Sequence, residues 1–319
     1  MTIYILIVFL AYVITRFLAD RAYELSRKKN LLIHPGKNDT FANPVLDRFI
    51  PVIVIPVLLL LGGASIYFNQ KFREYFEQDM REYAALFIFM IIASLMANFS
   101  MKYIIRLLLF ASAGTFAVYF SQSTIQYPEY IHAIYYLPLT LLWFSFFFVI
   151  FYRKKEHLSA DFLSGTVMMI TLFFISFYLE FNLYALIFLI TGICFLCLYR
   201  FSVYPSRIVP GIDYRMLFIS MISYVALVRN LKLTMLSILL FIPLADIYLI
   251  YRKEKSLSFS LLQAGLPEDK VNFYILAVQS VAGVIAFIMV HMKSEMISFF
   301  VFITIFLTFY ILNYFYGKK

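Results

Sequence analysis

Apolar residues follow one another in long, nearly continuous segments along this chain, separated by short polar stretches. A helix needs about 20 mainly apolar residues to cross a bilayer, and most of the segments approach that length. They lack the alternation of apolar and polar positions that membrane-spanning strands require. The pattern predicts an all-α, polytopic integral membrane helical bundle with about eleven transmembrane helices, at positions 2–19, 49–68, 83–99, 104–121, 132–152, 162–179, 182–199, 216–228, 232–251, 271–291 and 296–316.

The polar stretches between these segments are too short to form a second domain. The longest cover residues 20–48, 69–82, 200–215 and 252–270, whereas an independent domain usually needs about 40 residues or more. The stretch 69–82 mixes both charges with aromatic residues at helical spacing, which predicts a short helix at the membrane interface. We therefore expect one transmembrane domain over residues 1–319.

Basic residues are distributed unequally between the two sides of the predicted bundle. If the N-terminus lies outside and successive segments cross in alternate directions, 21 of the 27 Lys and Arg residues fall on the inner side. The other six fall on the outer side: Lys71, Arg73, Arg81, Arg229, Lys232 and Lys293. Because Lys and Arg accumulate in cytoplasmic loops, this bias predicts an external N-terminus and an internal C-terminus.

The composition agrees with this interpretation and removes the need for a nucleic-acid partner. Of the 319 residues, 63% are apolar and 14% charged, against about 45–50% and about 25% in soluble domains. The net charge of +9 follows from the basic inner loops. The first apolar run lacks a basic leader and a small-residue cleavage site, so we expect it to remain as a span. Cys194 and Cys197 lie within a predicted span and are expected to be ordinary span residues.

Few ionisable residues fall within the predicted spans, where such residues usually mark function. Asp246 lies near the inner end of its segment, three residues after Pro243, while His132 and His291 lie at segment ends. No series of carboxylates crosses the bilayer, and no repeated pair of Gly- or Pro-broken segments stands out. A transporter or flippase-like protein is therefore the least favoured hypothesis.

Four segments on the predicted inner side carry a recognisable order of motifs. Residues 32–45 read LIHPGKNDTFANPV, and residues 204–211 read YPSRIVPG. The sequence PLAD at 243–246 is followed by a basic pair, and residues 256–266 read SLSFSLLQAGL. In this order the segments resemble the inner loops of the polyprenyl-phosphate N-acetylhexosamine-1-phosphate transferases (glycosyltransferase family 4, which includes phospho-MurNAc-pentapeptide translocase and undecaprenyl-phosphate GlcNAc-1-phosphate transferase). The resemblance implies the fold of that family, whose GlcNAc-1-phosphate branch has the same span number and orientation.

The resemblance also implies catalytic groups that this sequence lacks. In the family, Mg²⁺ and carboxylates neutralise a nucleotide diphosphate so that another phosphate can approach. The positions that correspond to a pair of aspartates hold Met96 and Ala97, neither of which binds a hard cation through its side chain. The positions of the histidine motif hold no histidine: Ser256, Ser258, Phe259 and Ser260.

Three aspartates remain on the predicted inner side. Asp161 and Asp213 each stand one residue after an aspartate position of the family, where this chain has Ala160 and Ile212, and Asp246 aligns directly. If the chain is a divergent but active UDP-sugar:undecaprenyl-phosphate sugar-1-phosphate transferase, the resemblance implies that these three aspartates are catalytic and that Mg²⁺ is the cofactor.

The leading hypothesis is a degenerate member of the family, a pseudoenzyme without a cofactor in the bacterial cytoplasmic (inner) membrane. Such a protein would bind undecaprenyl phosphate or a partner in cell-envelope glycan assembly. The candidates for holding the prenyl phosphate headgroup by charge-assisted hydrogen bonds are basic residues of the inner loops: Lys102, Arg153, Lys154, Arg207, Arg252 and Lys253. The alternative role for each is a topology determinant or an anchor to lipid headgroups.

Overall fold

The structure, a computed structural model, describes residues 2–33, 45–99, 101–122, 136–152, 159–203, 206–251 and 256–292. Within these ranges the chain forms thirteen α-helices. In chain order they are α1 (Thr2–Lys28), α2 (Ile50–Phe68), α3 (Gln70–Gln78), α4 (Met80–Asn98), α5 (Tyr103–Ser121), α6 (Tyr136–Tyr152), α7 (Ser159–Tyr178), α8 (Asn182–Ser202), α9 (Ile212–Val228), α10 (Leu233–Leu239), α11 (Phe241–Tyr251), α12 (Leu257–Gln263) and α13 (Glu268–His291).

These helices coincide with the predicted apolar segments. Ten of the eleven segments contain helix, and the eleventh, 296–316, lies outside the described residues. Six helices (α2, α4, α5, α7, α8 and α13) are long and apolar enough to cross a membrane. The helix predicted within 69–82 is α3, which buries the ring of Phe72. The chain is therefore a multi-pass helical membrane protein.

Helices α8 and α9 form the centre of the bundle. Helix α8 packs against α7, α1 and α2, while α9 packs against α4 and α6. Aromatic rings fill the space where α7, α8 and α9 meet, because Tyr214 lies with its ring centroid 4.8 Å from those of both Phe162 and Phe195. Peripheral helices instead expose apolar side chains, and Val281 and Val284 on α13 are each 60% exposed. Such an apolar exterior suits contact with lipid.

The predicted span 232–251 is divided into two helices, α10 and α11, by Pro243. Proline has no N–H and its ring clashes with the carbonyl four residues earlier, which here belongs to Leu239. The side chain of Gln279 on α13, which is fully buried, donates its amide N–H to this carbonyl at 2.8 Å. The oxygen of the same amide accepts a hydrogen bond from Ser164 on α7 at 3.4 Å. A distant side chain therefore replaces the hydrogen bond that proline cannot make.

We expect Gln279→Leu to destabilise the protein, because the Leu239 carbonyl would lose its donor in a buried environment. A buried polar group without a partner costs about 1–3 kcal/mol. The midpoint of thermal unfolding in detergent should fall clearly below that of the wild type. Val281→Leu, on the exposed side of the same helix, is the matched control and should leave the midpoint unchanged. Equal midpoints for the Gln279 variant and the wild type would contradict this role.

Candidate functional site

The described residues in and beside the four motif segments lie at the end of the bundle where α2, α7 and α9 begin, which we call the motif end. Leu46 directly follows the first motif and donates its backbone N–H to the carbonyl of Arg207 at 2.9 Å. The carbonyl of Leu46 accepts the backbone N–H of Val209, also at 2.9 Å. Helix α9 continues directly from the second motif. Its first turn lines a cavity together with Asp246 and Ser258, which belong to the third and fourth motifs.

Asp213 holds the starts of α2 and α9 together. One carboxylate oxygen accepts the backbone N–H of Ile50 at 2.9 Å, and the other accepts the N–H of Tyr214 at 2.7 Å. Helix α2 needs this partner because its own N-cap residue, Phe49, provides no side-chain hydrogen bond. Asp213 is buried and is not among the residues that line the cavity. Its contacts are those of a structural residue.

Gly211 allows the close approach on which this junction depends. A Cβ atom added to Gly211 would clash with the carbonyl oxygen of Asp47, at a distance of 1.7 Å. Because that oxygen belongs to the backbone, no movement of a side chain could relieve the clash. Only glycine therefore lets the chain before α9 pass so near to the chain before α2.

The cavity at the motif end contains two of the three aspartates that the sequence singles out. Asp161 enters it from the first turn of α7, and Asp246 enters it from α11. Its walls come from α6, α7, α9, α11, α12 and α13, and its volume is about 50 Å³. Most of the wall is apolar, and its charged residues are Asp161, Arg215 and Asp246.

Asp161 is paired with Arg215. In the sequence, Arg215 counts only as one of the basic residues on the predicted inner side. The Arg215 Nη2 atom lies 3.6 Å from the Asp161 Oδ2 atom, with the two side chains 6% and 12% exposed. The backbone carbonyl of Asp161 also accepts a hydrogen bond from the Tyr214 hydroxyl at 2.8 Å. The signal that could have identified Arg215 is its position two residues after Asp213, immediately beyond the second motif.

Asp246 connects α11 to α12. Its carboxylate accepts the backbone N–H of Leu257 at 2.8 Å and so caps the first turn of α12. The side chain is buried, although it also lines the cavity. Leu257 lies in the segment where the resemblance implies histidines, and its neighbour Ser258 also lines the cavity.

The predicted headgroup-binding residues do not gather in the cavity as far as the structure describes them. Lys102 is exposed at the start of α5. The Arg207 side chain is 54% exposed, lies 3.5 Å from the carboxylate of Asp20 and stands 6.0 Å from the ring of Tyr23. Neither of these basic residues lines the cavity. The other four candidates, Arg153, Lys154, Arg252 and Lys253, lie outside the described residues.

The three aspartates that the structure describes at the motif end are engaged in contacts with protein groups. Among the described residues, no three His, Cys, Asp or Glu side chains come close enough together to hold a metal ion. Met96 is buried, and no carboxylate stands in its place or in that of Ala97. Hard divalent cations prefer several oxygen ligands, but the carboxylates of Asp213 and Asp246 accept backbone N–H groups and that of Asp161 faces a guanidinium.

A second charged cluster, centred on Arg229, lies at the opposite end of the bundle. Its guanidinium contacts the carboxylates of Asp79 at 2.5 Å and Glu82 at 2.7 Å, and it lies over the rings of Phe181 and Tyr184. Burial lowers the pKa of Arg229, but Tyr184 and the two carboxylates more than compensate and raise that pKa above its usual value. The arginine therefore stays charged and fastens α9 to α4 and α8.

The sequence was compared with family models and with curated proteins. The sequence matches no family model and no curated protein. The family resemblance therefore rests on the four motif segments of the sequence alone.

We expect Asp213→Ala to destabilise the protein, because it removes the acceptor for the N–H groups of Ile50 and Tyr214. The loss should be about 1–3 kcal/mol, the cost of leaving a buried group without a partner. Thermal unfolding in detergent measures it. Asp20→Ala is the matched control, since its carboxylate is exposed and such surface pairs contribute about 0–1 kcal/mol. Stability equal to the control variant would show that Asp213 has no structural role.

Proposed function

We propose that this protein is a degenerate member of the polyprenyl-phosphate N-acetylhexosamine-1-phosphate transferase family. In this proposal it binds undecaprenyl phosphate, or a partner in cell-envelope glycan assembly, and transfers no sugar phosphate. One observation supports this most directly. Described residues in or next to the four motif segments, which lie far apart in the sequence, are found at one end of the bundle, where those of the third and fourth motifs line a cavity.

The chemistry of the cavity favours binding over catalysis. Transfer of a sugar phosphate from a nucleotide diphosphate requires neutralisation of a polyanion and alignment of the attacking phosphate. The aspartates that could contribute are engaged in the fold: Asp213 holds α2 and α9, Asp246 caps α12, and Asp161 faces Arg215. An apolar wall with a few charged groups suits a headgroup next to a lipid chain.

The alternative is a divergent but active transferase, and one observation favours it. Asp161 and Asp246 line the same cavity, so two carboxylates face one space into which a substrate could enter. Asp213 would not take part, because it does not line this cavity. Dependence of turnover on a divalent metal ion separates the two functions.

We predict that the purified protein releases no UMP when it is incubated with undecaprenyl phosphate, a panel of UDP-sugars and Mg²⁺ or Mn²⁺. Bound undecaprenyl phosphate should nevertheless remain with the protein after it is separated from free lipid. A transferase that carries the full set of catalytic aspartates, assayed in parallel, is the positive control. Release of UMP together with a new lipid-linked product would overturn the pseudoenzyme proposal, and Asp161→Asn and Asp246→Asn would then be expected to abolish turnover.

The proposal includes about eleven spans in a bacterial cytoplasmic membrane, with the N-terminus outside and the motif end inside. The support is the Lys and Arg bias, since 21 of the 27 basic residues fall on the side of the motif segments. Ion pairs at the opposite end, around Arg229, would then face the exterior.

Single-cysteine labelling in cells tests this orientation. Cys194 and Cys197 are buried, so replacing both by serine or alanine leaves a background without reactive thiols. Lys29→Cys at the motif end should react only after the membrane is permeabilised, whereas Lys71→Cys on α3 should react with an impermeant maleimide in intact cells. The reverse pattern would contradict the orientation, and reaction of both in intact cells would contradict the span number.

A further inference from the structure

Three arginines gather near the motif end, where α1 packs against α8. Arg200 lies in the last turn of α8 and donates a hydrogen bond to the Tyr12 hydroxyl at 2.8 Å. Arg207, in the chain after α8, lies 3.5 Å from the carboxylate of Asp20 on α1. Arg16 stands on the same side of α1, one turn after Tyr12 and one turn before Asp20. We call Arg16, Arg200 and Arg207 the arginine cluster.

The arginine cluster has more positive charge than the neighbouring protein groups neutralise. Arg16 and Arg200 both interact electrostatically with the sulfur atom of Cys197. Asp20 interacts with the same atom, so these charges lie near one another. Among the described residues, neither Arg16 nor Arg200 forms an ion pair, and Arg207 pairs with Asp20 alone. Three guanidinium groups and one carboxylate leave a net formal charge of +2, which attracts an anion.

The arginine cluster lies where the exposed apolar surface of these two helices ends. On the side toward the bundle centre, the exposed residues are apolar: Phe9 and Val13 on α1, and Leu196 on α8. Beyond the cluster, α1 carries the exposed ion pair of Arg21 and Glu24. Arginines at such a boundary lie at the level of lipid headgroups, while the apolar surface next to them contacts lipid chains.

We propose that the arginine cluster binds a lipid with a terminal phosphate monoester, whose chain lies along the exposed apolar surface of α1 and α8. Guanidinium forks bind phosphate oxygens through paired N–H groups. A phosphate monoester carries about 1.5–2 negative charges at neutral pH, which matches the cluster, whereas a phosphodiester headgroup carries a single charge. None of the three arginines lines the cavity at the motif end. The inference goes beyond the proposed function, because it rests on these contacts and covers any lipid of this class, of which undecaprenyl phosphate is one.

Binding to the full-length protein in nanodiscs of zwitterionic phosphatidylcholine tests the proposal. Phosphatidic acid and undecaprenyl phosphate are the monoester probes, phosphatidylglycerol is the phosphodiester probe, and inorganic phosphate in solution is the probe without a chain. Native mass spectrometry measures the bound fraction of the protein as the concentration of each probe rises. We expect both monoester lipids to bind more tightly than phosphatidylglycerol, and inorganic phosphate to bind most weakly.

Substitutions in the arginine cluster test whether it is the binding site. Each basic residue near a membrane surface increases the affinity for an anionic lipid about fivefold. Arg16→Gln should therefore weaken the binding of phosphatidic acid about fivefold. The triple variant Arg16→Gln/Arg200→Gln/Arg207→Gln should weaken it about a hundredfold. Asp20→Asn should strengthen binding, because it removes the negative charge from the cluster.

Lys28→Gln is the matched control, because it removes one positive charge from the same helix. Lys28 is exposed and lies about 18 Å beyond Arg16 along α1, farther than the screening length of about 10 Å at 0.1 M salt. This variant should bind each lipid as the wild type does. Since the substituted basic residues are all exposed, the variants should fold, and size-exclusion profiles and unfolding midpoints verify that they do.

The outcomes separate this inference from the proposed function. Binding of undecaprenyl phosphate that the triple variant leaves unchanged would overturn the role of the arginine cluster while leaving the proposed function intact. If phosphatidic acid binds through the cluster and undecaprenyl phosphate does not bind, the inference stands and the proposed lipid ligand is wrong. Equal binding of phosphatidylglycerol would overturn the preference for a monoester, and equal binding of inorganic phosphate would overturn the role of the chain. If none of the probes binds, both the inference and lipid binding are wrong.

Discussion

A backbone N–H or C=O without a helical partner needs another partner wherever water cannot reach it, in a bilayer or between packed helices. This constraint explains three of the contacts that hold the present bundle together. Gln279 binds the Leu239 carbonyl that Pro243 leaves without a donor, Asp213 binds the first N–H of α2, and Asp246 binds the first N–H of α12. In each case the side chain comes from a different helix, so the local interruption also fastens two helices together. The polar residues of this apolar protein therefore stabilise its tertiary structure as well as line its cavity.

The same contacts change the meaning of the aspartates that the sequence offers as catalytic groups. The Asp213 carboxylate accepts two backbone N–H groups and so fastens the starts of α2 and α9 together. Asp246 combines a capping role with a place at the cavity wall. Asp161 faces the guanidinium of Arg215 at the cavity wall. In the part of the chain that the structure describes, these three aspartates serve structure and charge balance.

Two arginines illustrate how environment separates a structural charge from a functional candidate. The Arg229 guanidinium contacts two carboxylates and lies over aromatic rings. These contacts link α9 to α4 and α8. Arg215 lines the cavity, with its Nη2 atom 3.6 Å from the Oδ2 atom of Asp161. Both would count equally in a tally of basic residues. They differ in the groups around each guanidinium and in that Arg215 lines the cavity whereas Arg229 does not.

The sequence by itself determined the helical membrane architecture, because segment length and continuous apolarity depend on local composition. It also located the motif segments, the short helix α3 and two of the residues that line the cavity, Asp161 and Asp246. Only the tertiary structure decided that Asp213 is a link between helices, that Gln279 compensates for Pro243, and that Arg215 faces the cavity. These outcomes depend on residues 40 to 163 positions apart, and no local pattern encodes such a pairing. Burial and distance, which give a charged side chain its role, exist only once the helices have packed.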